Sequence, residues 1–115
     1  MAADSPGGRR QLLVRRIVES RRRGEAAVFA AAGVSVEYDD RVIRIEVDSG
    51  ERDRLDSLLS EYHVFKIKQP ETRKSSDAVV YLSAVTDAKH ASDFIEALFR
   101  DVYGFGAEYE LRAGE

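Results

Sequence analysis

From Ala78 to Val85 the chain is apolar on both alternating faces, with Val79, Tyr81 and Val85 on one side and Val80, Leu82 and Ala84 on the other. That pattern predicts a strand inside a sheet, covered on both sides. Thr86 then offers a hydroxyl for a helix N-cap, with Asp87 in the first turn where the helix dipole favours negative charge. Ala91, Phe94, Ile95, Leu98 and Val102 follow at steps of three and four, a single apolar stripe that Phe99 widens. A helix over 87–103 is therefore predicted, ending where Gly104 can turn left-handed. This strand and helix are the expected centre of the core.

Upstream, residues 1–8 read as a disordered start, and residues 9–32 as a long amphipathic helix. Leu13, Val14, Ile17, Gly24, Val28 and Ala32 share one side of it, with Arg15, Arg16, Glu19, Arg22 and Arg23 opposite. Arg21 interrupts the apolar side, and Gly24 marks a weak point in the middle. Val34, Val36 and Tyr38 alternate into an Asp39-Asp40 turn and Ile43, Ile45 and Val47 alternate out of it, which pairs 36 with 43 on one apolar face. Asp48-Ser49-Gly50 opens a helix with Leu55, Leu58, Leu59 and Tyr62 inward. A strand over 63–69 with Phe65 and Ile67 inward ends at Pro70, and a polar loop spans 70–77. Phe105, Ala107, Tyr109 and Leu111 suggest a last strand.

From Arg41 onward the order is strand, helix, strand, strand, helix, strand, which predicts an α+β, ferredoxin-like split βαβ sandwich over 33–115. The N-terminal helix and an extra hairpin strand are additions to that plan. The extra strand, 34–38, creates a conflict because both neighbours of the first ferredoxin-like strand are already taken. Either the last strand moves to the far edge, with its helix on the opposite sheet face, or residues 34–38 leave the sheet.

Length and composition narrow the classes. At 115 residues the chain is one domain with room for a single core. The absence of cysteine excludes disulfides and thiolate metal sites, and no apolar run approaches the roughly 20 residues that cross a bilayer. With an arginine-rich start that lacks the apolar core of a signal peptide, a cytoplasmic protein with no membrane partner is expected. The net charge of −3 is unevenly spread: residues 1–32 hold seven arginines against Asp4, Glu19 and Glu25, and the remainder holds 11 basic and 18 acidic groups. A basic arm therefore leads into an acidic domain. Arginines outnumber lysines 14 to 4, which with that acidic domain is compatible with a halophile.

Candidate chemistry is sparse. Asp87, His90 and Asp93 are spaced to share a helix face, but a solvated first turn explains them better than a metal or acid–base cluster. No glycine-flanked serine elbow and no phosphate-binding glycine loop occur, so neither a catalytic residue, nor a cofactor, nor a metal ligand is assigned. Ser49 and Gly50, at a helix N-terminus, are positioned to hold a small anion through backbone amides. In ligand-binding ferredoxin-like domains such as the ACT family this junction contributes to a small-molecule site, and the similarity is one of position. Arg15, Arg16, Arg22 and Arg23 form the face that would meet nucleic-acid phosphates.

The run Phe65-Lys66-Ile67-Lys68-Gln69-Pro70-Glu71, with Val80-Tyr81-Leu82-Ser83-Ala84-Val85-Thr86-Asp87 and Lys89-His90, resembles small haloarchaeal proteins of unassigned function across the C-terminal half. That resemblance implies no activity. The functional expectation is a non-catalytic binding or assembly module that forms a homodimer. Its apolar surplus is expected at Leu13 and Ile17 of the first helix and at Val80, Leu82 and Ala84 of the central strand.

Overall fold

The computed structural model describes residues 2–68 and 78–113. In chain order these form β1 (Ala2–Ala3), α1 (Pro6–Arg23), β2 (Ala27–Ala31), β3 (Val34–Asp39), β4 (Val42–Glu46), α2 (Ser49–Leu59), β5 (Lys66–Lys68), β6 (Val79–Ser83), α3 (Ala88–Ala97) and β7 (Leu111–Ala113). The fold is α+β, with one seven-stranded sheet in the order β1-β7-β2-β3-β4-β6-β5 and every neighbouring pair antiparallel. Residues 2–8, read as a disordered start, hold β1 and the first turn of α1. Ser5 caps that helix by accepting from the Gly8 amide at 3.1 Å, with Pro6 at its first position.

The long helix expected over 9–32 ends at Arg23. Gly24 takes a left-handed conformation at φ 66° and closes the helix by donating to the Ser20 carbonyl at 2.9 Å. Its second half is a strand: Ala27, Phe29 and Ala31 face the core while Val28 and Ala30 face outward. Alanine favours helix locally, but β2 pairs with β3 along five positions and with β7 along two, and that pairing outweighs propensity.

Two hairpins follow, both with two-residue turns at positive φ. Ala32 and Gly33 sit at φ 46° and 84°, and Asp40 and Arg41 at 50° and 60°, the geometry that suits strand twist. The second turn lies one residue beyond the expected Asp39-Asp40, so Tyr38 pairs with Ile43 and the register moves by two. A shift of two keeps every side chain on its face. Val36, Tyr38, Ile43 and Ile45 therefore still point inward, all fully buried.

The conflict over the last strand is resolved differently from either expectation. In the ferredoxin-like order the last strand borders the first, whereas here β2 and β3 stand between β7 and β4. The crossover β4-α2-β5 runs one way across the sheet and β6-α3-β7 runs the other way from an antiparallel strand. Right-handed connections then leave both helices on the same face. Accordingly the strands alternate between buried and half-exposed residues, and α1, α2 and α3 share a single core with one sheet face.

In that core Phe65 stacks on Phe94 with centroids 4.0 Å apart, and Tyr62 meets Phe94 edge-on at 5.4 Å. Burying side chains such as Phe29, Phe94 and Leu98 contributes roughly 1.5–3 kcal/mol each. The helix over 87–103 is capped by Asp87, one residue later than expected, and its last turn, Leu98–Val102, widens to π-helical hydrogen bonding before Gly104 at φ 77°. The last strand begins only at Leu111. Phe105 and Tyr109 pack half-buried beside Phe99 from the preceding loop, and Ala107 is exposed. Strand β5 is a three-residue edge on which Ile67 is 36% exposed. Gln69, Pro70 and the loop expected over 70–77 lie outside the described residues.

Candidate interaction face

With all helices on one side, the other side of the sheet is left uncovered by the described residues. The hydrogen-bonded register places Val28, Glu37, Arg44, Tyr81 and Lys68 in one row across β2, β3, β4, β6 and β5. A parallel row carries Arg112, Ala30 and Ser35, and further along the strands come Asp39, Val42, Ser83 and Lys66. Val28, Ala30, Glu37, Val42, Arg44, Val79, Tyr81 and Ser83 are half-buried, shielded laterally by their neighbours. Arg44 leans along its own strand toward Glu46 at 3.8 Å. Among the described residues, the Glu37 side chain makes no hydrogen bond or ion pair. Lys66 and Lys68 border the face on one side, and Arg112, paired to Glu110 at 2.9 Å, on the other.

This placement corrects the expected interface. Strand β6 does have two apolar faces, but Val80, Leu82 and Ala84 point into the core at 0–5% exposure, and it is Val79 and Tyr81 that lie on the open side. Leu13 and Ile17 of α1 are fully buried against the chain's own sheet. Helix α1 covers its own strands, so none of these five side chains reaches a partner without opening the core.

The other expected site residues are also separated. Arg15 and Arg22 are exposed on α1, while Arg16 and Arg23 flank Glu19 at 3.5 and 3.9 Å. Ser49 and Gly50 are exposed, but the amides beside them meet carboxylates of the chain itself. Asp48 accepts from the Glu51 amide at 2.7 Å, and Glu51 accepts from the Asp48 amide at 2.9 Å. That reciprocal cap places two negative charges where an anion would sit. His90 and Asp87 are joined at 2.9 Å, and the His90 amide donates to the same carboxylate, which lowers the Asp87 pKa. Asp93 turns instead toward Arg10 at 3.8 Å. No group of three or more metal-ligating side chains occurs among the described residues.

One cluster was not anticipated at all. Arg9, fully buried, donates to the Glu96 carboxylate at 2.7 and 3.0 Å and to the Tyr109 carbonyl at 3.0 Å, and lies over the Tyr109 ring at 4.0 Å. The Tyr109 hydroxyl donates to the same carboxylate at 2.6 Å. Burial alone would raise the Glu96 pKa, but hydrogen bonds from Arg9 and Tyr109 outweigh it and hold the carboxyl below its ordinary value. Burial and the adjacent carboxylate push the Tyr109 phenol well above its ordinary value. The group ties α1, α3 and the approach to β7 together. A second anchor is Arg21, which donates to the Tyr38 hydroxyl at 2.8 Å and to the Thr86 carbonyl. The only sequence signal for either was an arginine on or beside the apolar side of α1.

Among the described residues no helix is long and apolar enough to cross a membrane. Compared with known proteins, the whole chain, residues 1–115, matches the model of a family described as one of unknown function. No curated protein and no solved structure matches it.

Proposed function

We propose that this chain, which belongs to the DUF7975 family of unknown function, is a non-catalytic assembly module whose open sheet face meets a second copy of itself. The observation that carries the reading is a sheet that the described residues cover on one side only, whose other side sets half-buried Val28, Ala30, Val42, Val79 and Tyr81 among charged residues. Among homo-oligomers, closed two-fold dimers are the commonest form. We read the architecture as derived from a ferredoxin-like split βαβ, β4-α2-β5-β6-α3-β7, with the β2-β3 hairpin inserted between its first and last strands. The setting we propose is a haloarchaeal cytoplasm. There the Debye length falls to about 3 Å at 1 M salt, so association rests on apolar contact and close charge pairs, not on long-range attraction.

Light scattering across a concentration series tests this, with twice the 12.9 kDa chain mass expected at high concentration. Tyr81→Glu should return the monomer while keeping the native circular dichroism spectrum. A wild-type monomer at every concentration, in low and in high salt, rejects self-association.

A second reading, nucleic-acid contact through Arg15, Arg16, Arg22 and Arg23, is favoured by the exposure of Arg15 and Arg22, which form no ion pair among the described residues. It requires binding to DNA or RNA that weakens steeply with salt in a shift assay. The anion-sensing reading at Ser49 and Gly50 has less support, because Asp48 and Glu51 already occupy that helix end.

A further inference from the structure

We infer that the two copies stack face to face about a two-fold axis lying parallel to the strands, between β3 and β4, so that Glu37 of each copy meets Arg44 of the other. This rests on the self-association proposed above and specifies its geometry. A two-fold axis along the strands keeps each row opposite itself but reverses its order. In the row Val28, Glu37, Arg44, Tyr81, the axis between the middle two sets Glu37 over Arg44, Arg44 over Glu37, and Val28 over Tyr81 in both directions. In the next row Ala30 comes over Val79. In the first of these rows charges meet their opposites at the centre with apolar groups on either side, while in the flanking rows Glu46 comes over Ser35 and Asp39 over Val42.

Glu37 decides between this axis and its alternatives. Among the described residues it is a half-buried carboxylate without a cation, because Arg44 turns toward Glu46 in its own strand. A two-fold axis running across the strands through this row would set Glu37 on Glu37 and Arg44 on Arg44, two like-charge contacts in a desolvated centre. Shifted by one row, that axis gives Arg44 only another Glu46 and leaves Glu37 opposite Ser35. The strand-parallel axis alone supplies Glu37 with a guanidinium. It also brings the β5 edge, with Lys66 and Lys68, toward β7 of the other copy, where Arg112 is already neutralised by Glu110 at 2.9 Å. That contact lies at the wet rim, where like charges cost little.

Cysteine-free sequence makes the geometry directly readable. Ala30→Cys and Val79→Cys each change a half-exposed position by about one atom's bulk. Stacked sheets lie about 10 Å apart and neighbouring strands about 4.8 Å apart. Position 30 of one copy is thus about 10 Å from position 79 of the other, but roughly 17 Å from its own equivalent, three strands away. A bismaleimide spanning about 10 Å should join a tagged Ala30→Cys chain to an untagged Val79→Cys chain in a mixture, at least tenfold more than either variant joins to itself. As an independent arm, Glu37→Arg and Arg44→Glu should each weaken dimerisation at least tenfold, and the double swap should restore it, with thermal melts confirming that each variant folds.

Self-cross-linking of each variant, or a dimer by light scattering in which neither position cross-links, overturns this axis while leaving self-association standing. Unchanged dimerisation in folded Glu37→Arg overturns it as well. A protein that stays monomeric throughout defeats both, and directs the face to a different partner.

Discussion

Replacing Arg9 by leucine isolates the buried network that holds α1 to α3 and to the approach of β7. Leucine keeps apolar bulk in the core but removes a guanidinium that makes bonds of 2.7 and 3.0 Å to Glu96 and 3.0 Å to the Tyr109 carbonyl. Breaking one side of a buried ion pair costs about 3–5 kcal/mol. Here Glu96 keeps the Tyr109 hydroxyl at 2.6 Å, and its side chain is 23% exposed, so water reaches the orphaned carboxylate. Those two facts pull the cost to the lower end, about 3 kcal/mol with the loss of the cation–π contact included. With an unfolding entropy of about 2.1 cal/mol/K per residue, that is a drop of roughly 12 °C in Tm for a chain this long. Chemical denaturation at pH 7 measures the loss, and Glu96→Gln completes a double-mutant cycle with an expected coupling of about 2 kcal/mol. A loss under about 1 kcal/mol, or single costs that simply add, would refute the view that Arg9 and Glu96 act as a pair.

Three further outcomes are expected. Gly24→Ala forces a left-handed φ of 66° on a residue with a Cβ that meets nothing within 4 Å, so the cost is conformational, about 1 kcal/mol by denaturation. A neutral result would mean the helix end relaxes into another cap. Asp48→Ala removes one half of the reciprocal cap on α2 and should cost about 1 kcal/mol, with Asp48→Asn retaining most of it. Stability should also be flat between about pH 5 and 10 and fall on both sides. The depressed Glu96 carboxyl contributes above its unfolded pKa and loses that contribution as pH falls through its folded value. The raised Tyr109 and Tyr103 phenols contribute below about pH 10 and lose it as pH rises further. Denaturation midpoints of wild type and Tyr109→Phe should diverge in the alkaline limb, and coincident curves there would count against the phenol's role.

Much of this architecture follows from periodicity in the chain alone. The stripe from Ala91 to Val102 is buried as its spacing requires, and Leu55 and Leu58 of α2 likewise. The inward set Val36, Tyr38, Ile43 and Ile45 is also readable without a structure, because burial of a face depends only on alternation. Register is a different matter. Pairing 36 with 43 or with 45 gives the same inward set, so only the positive-φ turn at Asp40 and Arg41 selects between them. Ala27 to Ala31 read as helix because alanine favours helix when nothing else acts, and it became a strand because β3 and β7 offered it partners on both edges. The two apolar faces of β6 were visible, yet which of them the helices cover depends on where β7 enters the sheet, a pairing with β2 that joins Ala30 to Arg112 and Phe29 to Ala113 from opposite ends of the chain. Arg9 likewise carries no local mark of its role. An arginine on a helix is by default a solvated one, and only the approach of Glu96 and Tyr109, 87 and 100 residues away, makes it a core residue. Local pattern determines what each segment can bury, whereas long-range partners determine what it buries against.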